Sequence, residues 1–269
     1  MPMKESFVPE HRAPAASRAI RALKVLARSR EPLGVNAVAR ELDVVPSSCL
    51  HILRALVDEG LVHMDPASKR YSLGLGILTL AHDMLGKDHF VQLVQPELAR
   101  LVGQYPVTAT AVELDDRERM VVVAVEQSPA LYRLEVGVGN RFPALISATG
   151  RCVAARSTLS RSQLRQRFNS LQWQAPPKFD DWYREVEAVR QSGIAVDHGN
   201  YICGITIVAS LVEGPDGPRR AISIVSVSEQ MPAKKLASLK RDTLEAARRI
   251  SAQLHQLGRG TGAPSSSPG

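Results

Sequence analysis

Between residues 33 and 73 the apolar positions change period, and the change predicts two short amphipathic helices followed by a two-stranded wing. The second helix is expected to start near Pro46, Ser47 and Ser48. Proline suits a first helical turn, and a serine there can cap free backbone N–H groups. Apolar residues then recur at Cys49, Ile52, Leu53, Leu56 and Val57, which is one helical face. The opposite face carries Ser47, Ser48, Leu50, His51, Arg54 and Ala55. Gly60 is placed to end the helix in a left-handed cap. Residues 61–64 and 71–73 read as paired strands around a loop that ends in Lys69 and Arg70. In a winged helix–turn–helix the second helix enters the DNA major groove.

The rest of the chain has its own periods. A helix is expected over residues 17–29, opened by a capping Ser17. Residues 74–84 read as a helix leaving the wing, and residues 90–104 as another. From Pro106 the pattern shifts to strands: 107–114, 119–125 and 131–138. Helices follow at 146–156, at 160–169 with a capping serine, and at 180–191 behind two aspartates that suit the helix dipole. A short strand at 194–197, a hairpin of 204–212 with 219–228, and a long helix opened by Pro232 complete the pattern. Strands with helices segregated around them make an α+β fold with a largely antiparallel sheet.

This organisation gives a disordered arm over 1–14 and a winged helix–turn–helix domain over 15–74. A linker helix over 75–88, a second domain over 89–258 and a disordered tail over 259–269 follow. The linker helix has an apolar stripe that needs a cover. A second copy of the chain is the simplest cover; packing on its own domain is the alternative.

Charge sharpens the picture. The net charge is +7, which favours a polyanionic partner. Between Glu10 and Glu31 there is no acidic residue, while Arg12, Arg18, Arg21, Lys24, Arg28 and Arg30 lead into the helical pair. On spacing alone, many helical domains hold two such helices and bind no DNA. The basic run and the basic wing tip shift the balance toward duplex DNA. Ser47, Ser48, His51 and Arg54 are the candidate base and backbone contacts, and Lys69, Arg70 and Arg18 the candidate phosphate contacts.

No apolar run approaches the roughly 18 residues of a membrane helix, and the amino terminus has no secretory core. Cys49, Cys152 and Cys203 have neither metal-type spacing nor a disulfide framework, so no metal, cofactor or membrane is expected. A reducing compartment, most simply the cytoplasm, fits the free thiols. Cys152 or Cys203 could serve a redox-sensing regulator, or, with Asp197 or His198 nearby in sequence, a cysteine-dependent enzyme. Neither has a motif behind it.

From residue 17 to 257 the chain resembles the IclR family of bacterial transcriptional regulators. The resemblance rests on Ser17-Arg18-Ala19, on residues 35–42, on Ser47-Ser48, on Gly60-Leu61-Val62 and on Tyr71-Ser72-Leu73-Gly74. In the second half it rests on residues 147–151, 192–197, 204–209 and 224–228. It implies a GAF-like effector domain that binds a small organic acid, in a homodimer or homotetramer that represses or activates a catabolic operon. The family's effector contacts map to Ala148 and Thr149 as backbone donors, with Asp197, Ile207, Ser226 and Ser228. A helix beginning near Thr149 directs N–H groups at an anion, and Ser226 and Ser228 are expected to share one face of a strand. Ile207 stands where cysteine is frequent, and Ala148 where glycine is frequent. Both changes favour a larger, partly apolar acid over one the size of glyoxylate. His51 stands where arginine is common, which alters base preference. Arg133 and Arg141 are further cations that could meet an acid.

Overall fold

The computed structural model describes residues 13–86, 89–129, 136–214 and 217–260. The chain divides into two compact units, Met1–Lys87 and Asp88–Gly269. Most of the expected arm and tail, most of the expected strand over 131–138, and Arg133 lie outside the described residues.

The first unit contains α1 (Pro14–Arg28), α2 (Val35–Leu42), α3 (Pro46–Asp58), β1 (Val62–Met64), β2 (Tyr71–Leu73) and α4 (Gly76–Gly86). Both α1 and α3 start on proline, whose fixed φ and missing N–H suit a first helical position. The expected serine caps are therefore corrected. Ala13 and Val45 are the N-cap residues without side-chain caps, and Ser17, Ser47 and Ser48 lie inside the helices. Cys49, Leu53 and Leu56 of α3 pack on Ala22 and Leu26 of α1 and on Val38, Ala39 and Leu42 of α2. Each aliphatic side chain so removed from water contributes about 1.5–3 kcal/mol.

Gly60, at φ +68°, ends α3 as its period predicts. The Gly60 N–H donates to Val57 O and the Leu61 N–H to Leu56 O, both at 2.9 Å, the paired bonds of a left-handed helix end. A Cβ on Gly74 would lie 2.3 Å from Gly60 O, so only glycine lets β2 close against that cap. Leu33 exchanges two backbone hydrogen bonds with Tyr71, of 2.9 and 2.8 Å, and ties the loop before α2 to the wing.

The second unit contains α5 (His89–Gln104), β3 (Thr108–Leu114), β4 (Arg119–Gln127), β5 (Arg141–Pro143), α6 (Ser147–Arg156), α7 (Arg161–Asn169) and α8 (Phe179–Ser192). It continues with β6 (Ala195–His198), β7 (Ile205–Gly214), β8 (Gly217–Val227), a 3-10 turn at Ser228–Gln230, and α9 (Ala233–Gly260). One antiparallel sheet has the order β5-β4-β3-β8-β7-β6. The outer partner of β4 is β5, three residues too short to show a strand period.

Directly opposed residues of an antiparallel sheet share a face. Ala109, Ala111, Val208, Ile222 and Ile224 turn toward α5 and α9, in a core with Phe90, Leu98, Ala246 and Ile250. Ala195, Ile207, Ala209 and Val225 turn the other way, toward Ala148 of α6, Leu164 of α7 and Trp182 of α8. With both faces covered, β3 is buried at five consecutive positions, Thr108 to Val112. Among the described residues no helix is long and apolar enough to cross a membrane.

Candidate nucleic-acid interface and ligand cavity

In the first unit, α3 is not interred. Its buried line is Cys49, Leu53 and Leu56, so the helical period turns Ser47, His51 and Arg54 outward. All three are exposed and Ser48 is half-buried. Neither serine hydroxyl is used as a cap, which leaves them available to a partner. No acidic side chain occupies the first turn of α3, so its positive dipole end is not neutralised locally.

The wing tip is built by Asp65. Its carboxylate accepts the N–H groups of Ala67 and Ser68 at 3.1 and 3.2 Å, and the Ser68 hydroxyl. These bonds hold its carboxyl below the usual carboxylate range. Lys69 follows at φ +55°, exposed at the turn. Arg70 is also exposed, but its Nη1 donates to Pro32 O at 3.1 Å, so it braces the wing as well as charging it. Arg18 is exposed on α1.

In the second unit, a cavity of about 290 Å³ opens between the sheet, the start of α6 and the loop after β6. That is the space of about ten waters at roughly 30 Å³ each. Ile207, Val225, Val122 and Phe142 supply apolar walls; Thr110 and Ser223 supply hydroxyls from the sheet. Thr110 and Ser223 are opposed across β3 and β8, and the Thr110 hydroxyl donates to Ser223 O at 3.0 Å. Tyr201 and Ile202 form the loop side, and Arg141 with Asn140 brings polar groups to the β5 side.

Ser147 and Thr149 line the cavity from the first turn of α6. The N-cap of α6 is Ile146, with no side-chain cap and no acidic residue in the first turn. The turn is tight because a Cβ on Gly150 would lie 2.0 Å from the carbonyl carbon of Leu145. Thr149 is 1% exposed, and its hydroxyl has no hydrogen-bond partner among the described residues. An unmet buried hydroxyl costs about 1–3 kcal/mol, which a bound polar group would offset.

Of the six effector contacts implied by the resemblance, the cavity gathers Thr149 and Ile207. Ala148 is fully buried and packs in the core of α6, α7 and α8. Asp197 is also placed otherwise than expected. Its Oδ2 accepts Arg151 Nη1 at 3.2 Å, and its Oδ1 accepts the N–H groups of Asn200 and Tyr201 at 2.8 and 3.4 Å. Both of its oxygens already accept hydrogen bonds from the protein itself.

Ser226 and Ser228 require a correction. Ser226 pairs with Thr206, whose carbonyl accepts its hydroxyl at 3.3 Å. It therefore shares the face of Ile222 and Ile224, away from the cavity. Ser228 lies past the end of β8, in the 3-10 turn, with its hydroxyl 2.9 Å from that of Thr206. The serine of β8 that lines the cavity is Ser223, flanked by Ile222 and Ile224. The sequence carries no signal for this choice, since Ser223 and Ser226 both stand between apolar residues, on opposite faces of β8.

Cys152 is buried, its thiol pushed up to about 12 by desolvation, and its Sγ sits 3.3 Å from Ala209 O. Such a thiol is inert near neutral pH. Cys203 is exposed. Among the described residues no cluster of His, Cys, Asp or Glu could hold a metal ion.

The IclR helix-turn-helix domain model matches residues 15–66, and the model of the bacterial transcriptional regulator IclR C-terminal domain matches residues 82–252. The chain belongs to the IclR family. It is similar to the glycerol operon regulatory protein of Streptomyces griseus, 25% identical over 244 residues that cover 86% of this chain and 94% of that one. It is also similar to the transcriptional repressor AllR of Escherichia coli K12, 23% identical over 248 residues, 90% of each chain. Among solved structures, an IclR-type regulator of Alicyclobacillus acidocaldarius matches with a TM-score of 0.77 at 26% identity, over 90% of this chain and 99% of that one. An IclR homologue of Microbacterium hydrocarbonoxydans, complexed with 4-hydroxybenzoate, shares the fold with a TM-score of 0.74 at 13% identity, over 89% and 99%. The chain is thus a transcriptional regulator with a helix–turn–helix and an IclR effector domain.

Proposed function

We propose that this regulator binds a catabolic operator as a homodimer or homotetramer in the cytoplasm, and that a small, partly apolar organic acid in the second unit controls the binding. The observation that carries the effector reading is the Thr149 hydroxyl, buried without a partner at the uncapped start of α6. An anion there meets first-turn N–H groups and the positive end of the helix dipole. Ile207, Val225 and Phe142 would cover an apolar body, and Arg141 supplies a cation to the same cavity. The complex of a fold relative with 4-hydroxybenzoate supports an acid of about this size.

On the DNA side, Ser47, Ser48, His51 and Arg54 would enter the major groove, while Lys69, Arg70 and Arg18 meet phosphates. The dimer reading is supported by α4 and the residue before it: Leu75 and Leu78, three residues apart on one face, are 80% and 65% exposed, and such an apolar pair gains from a partner's cover. The acid acts by binding one dimer arrangement more tightly than another, which shifts the affinity for DNA. A thermal-shift screen of small carboxylates tests the effector reading. A ligand at 100 times its Kd stabilises the folded state by about 2.7 kcal/mol. A screen of aliphatic and aromatic acids that leaves the melting temperature unchanged contradicts it.

A further inference from the structure

We propose that Arg151 is a positioning residue: without touching the effector, it holds two walls of the effector cavity together and so sets effector affinity. This rests on the reading of that cavity as the effector site. Arg151 stands one turn past Ser147 on α6 and is 1% exposed. Its Nη1 donates to Ser147 O at 2.9 Å and to Asp197 Oδ2 at 3.2 Å. Its Nη2 donates to Asn200 Oδ1 at 3.0 Å, and its Nε to Glu185 Oε2 at 2.5 Å. One buried guanidinium thus reaches the first turn of α6, the end of β6 and the loop beyond it.

Ser147 is a cavity residue, and Tyr201 and Ile202 of that loop face the same cavity. The loop turns between Gly199 and Gly204, at φ +78° and +76°, positions that only glycine adopts without strain. Asp197 fixes the loop's first N–H groups, and Asn200 Nδ2 donates to Ala175 O at 3.2 Å. Asp197 therefore acts on the loop backbone, and Arg151 reaches the loop through the Asn200 side chain. A planar guanidinium can serve four acceptors at fixed angles, which a lysine ammonium cannot. A wall held in place before binding leaves less ordering for the effector to impose.

The test uses full-length protein with N200A, N200D, R151K and the unchanged sequence. Binding of glyoxylate, pyruvate, benzoate and 4-hydroxybenzoate is measured by calorimetry, and amide exchange is measured across residues 198–204. N200A removes a part-buried contact and leaves the buried Arg151–Asp197 pair in place. It is expected to weaken the best acid about tenfold, in line with the cost of losing groups that orient ligands elsewhere, and to speed exchange at Asn200, Tyr201 and Cys203. R151K is expected to do the same, while N200D keeps an acceptor for Arg151, loses the donor to Ala175 O, and recovers part of the affinity lost in N200A. Unchanged affinity or unchanged loop exchange in N200A overturns the clamp alone. Failure of the unchanged protein to bind any of the four acids overturns the effector reading, and the clamp's role in affinity with it.

Discussion

Arg151 Nη1 lies 3.2 Å from Asp197 Oδ2, and both side chains are 1% exposed. Removing one partner of such a pair leaves the other charge buried. Arg151→Met is therefore expected to destabilise the second unit by about 3–5 kcal/mol, read from denaturant midpoints. A loss below about 1 kcal/mol would show that water or a neighbour solvates Asp197 when Arg151 is gone.

Ser223 and Ser226 sit three residues apart on β8 and face opposite sides of the sheet. Ser223→Ala is expected to weaken binding of the effector acid about three- to tenfold, the worth of one hydrogen bond. Ser226→Ala should leave it within about twofold. Calorimetry with the acid found in the thermal screen distinguishes them, and the opposite ranking would return the effector to the other face.

That pair also shows what the sequence could and could not convey. The order of most elements along the chain, the α+β class and the winged helix were legible, because one-sided burial writes its period into α3 and the helix ends write Gly60 and Pro46. Residue roles in the sheet were less legible. Helices cover both faces of β8, so Ile222, Ile224 and Val225 are all buried, and hydrophobicity alone does not say which face holds the cavity. Asp197 is expected to be an effector acceptor because the resemblance maps a family contact to it. Its Oδ1 accepts from the nearby Asn200 and Tyr201 N–H groups, but its Oδ2 is taken by Arg151, 46 positions earlier in the chain, and a pairing across that separation leaves no local pattern. β5 was missed because three residues carry no period.

Gly150 allows α6 to start against Leu145. An added methyl would meet the Leu145 carbonyl carbon at 2.0 Å and its oxygen at 2.1 Å, both backbone atoms. Gly150→Ala is expected to cost about 3 kcal/mol, at the upper end of overpacking, and to lower effector affinity by displacing Thr149. Thermal unfolding and effector titration check both. A variant as stable as the parent would mean that the turn relaxes freely.

The thiols should separate by accessibility. Cys203 is exposed, Cys152 is buried with its thiol pushed up to about 12, and burial also raises Cys49. In native protein at pH 8, a disulfide reagent is expected to label Cys203 alone. For Cys152 the folded pKa lies above the ordinary value of 9.0, so the folded state holds its proton more tightly than the unfolded chain. Its contribution to stability is complete below about pH 9 and is lost as pH rises toward 12. Rapid labelling of Cys152 at pH 8, with loss of DNA binding, would favour a redox sensor.

Lys69 at the wing tip is expected to meet a phosphate. Lys69→Ala should reduce the slope of log affinity against log salt by about one unit without altering sequence preference. An unchanged slope would leave the wing as a structural hairpin.

The most direct test is fluorescence anisotropy of the promoter fragment beside the protein's own gene, titrated with unchanged protein and with Arg54→Ala. The account predicts salt-dependent binding that exceeds binding to scrambled duplex, weakened at least tenfold by Arg54→Ala, with effector affinity unaltered. Equal binding to promoter and scrambled duplex, or equal binding by both proteins, would contradict it.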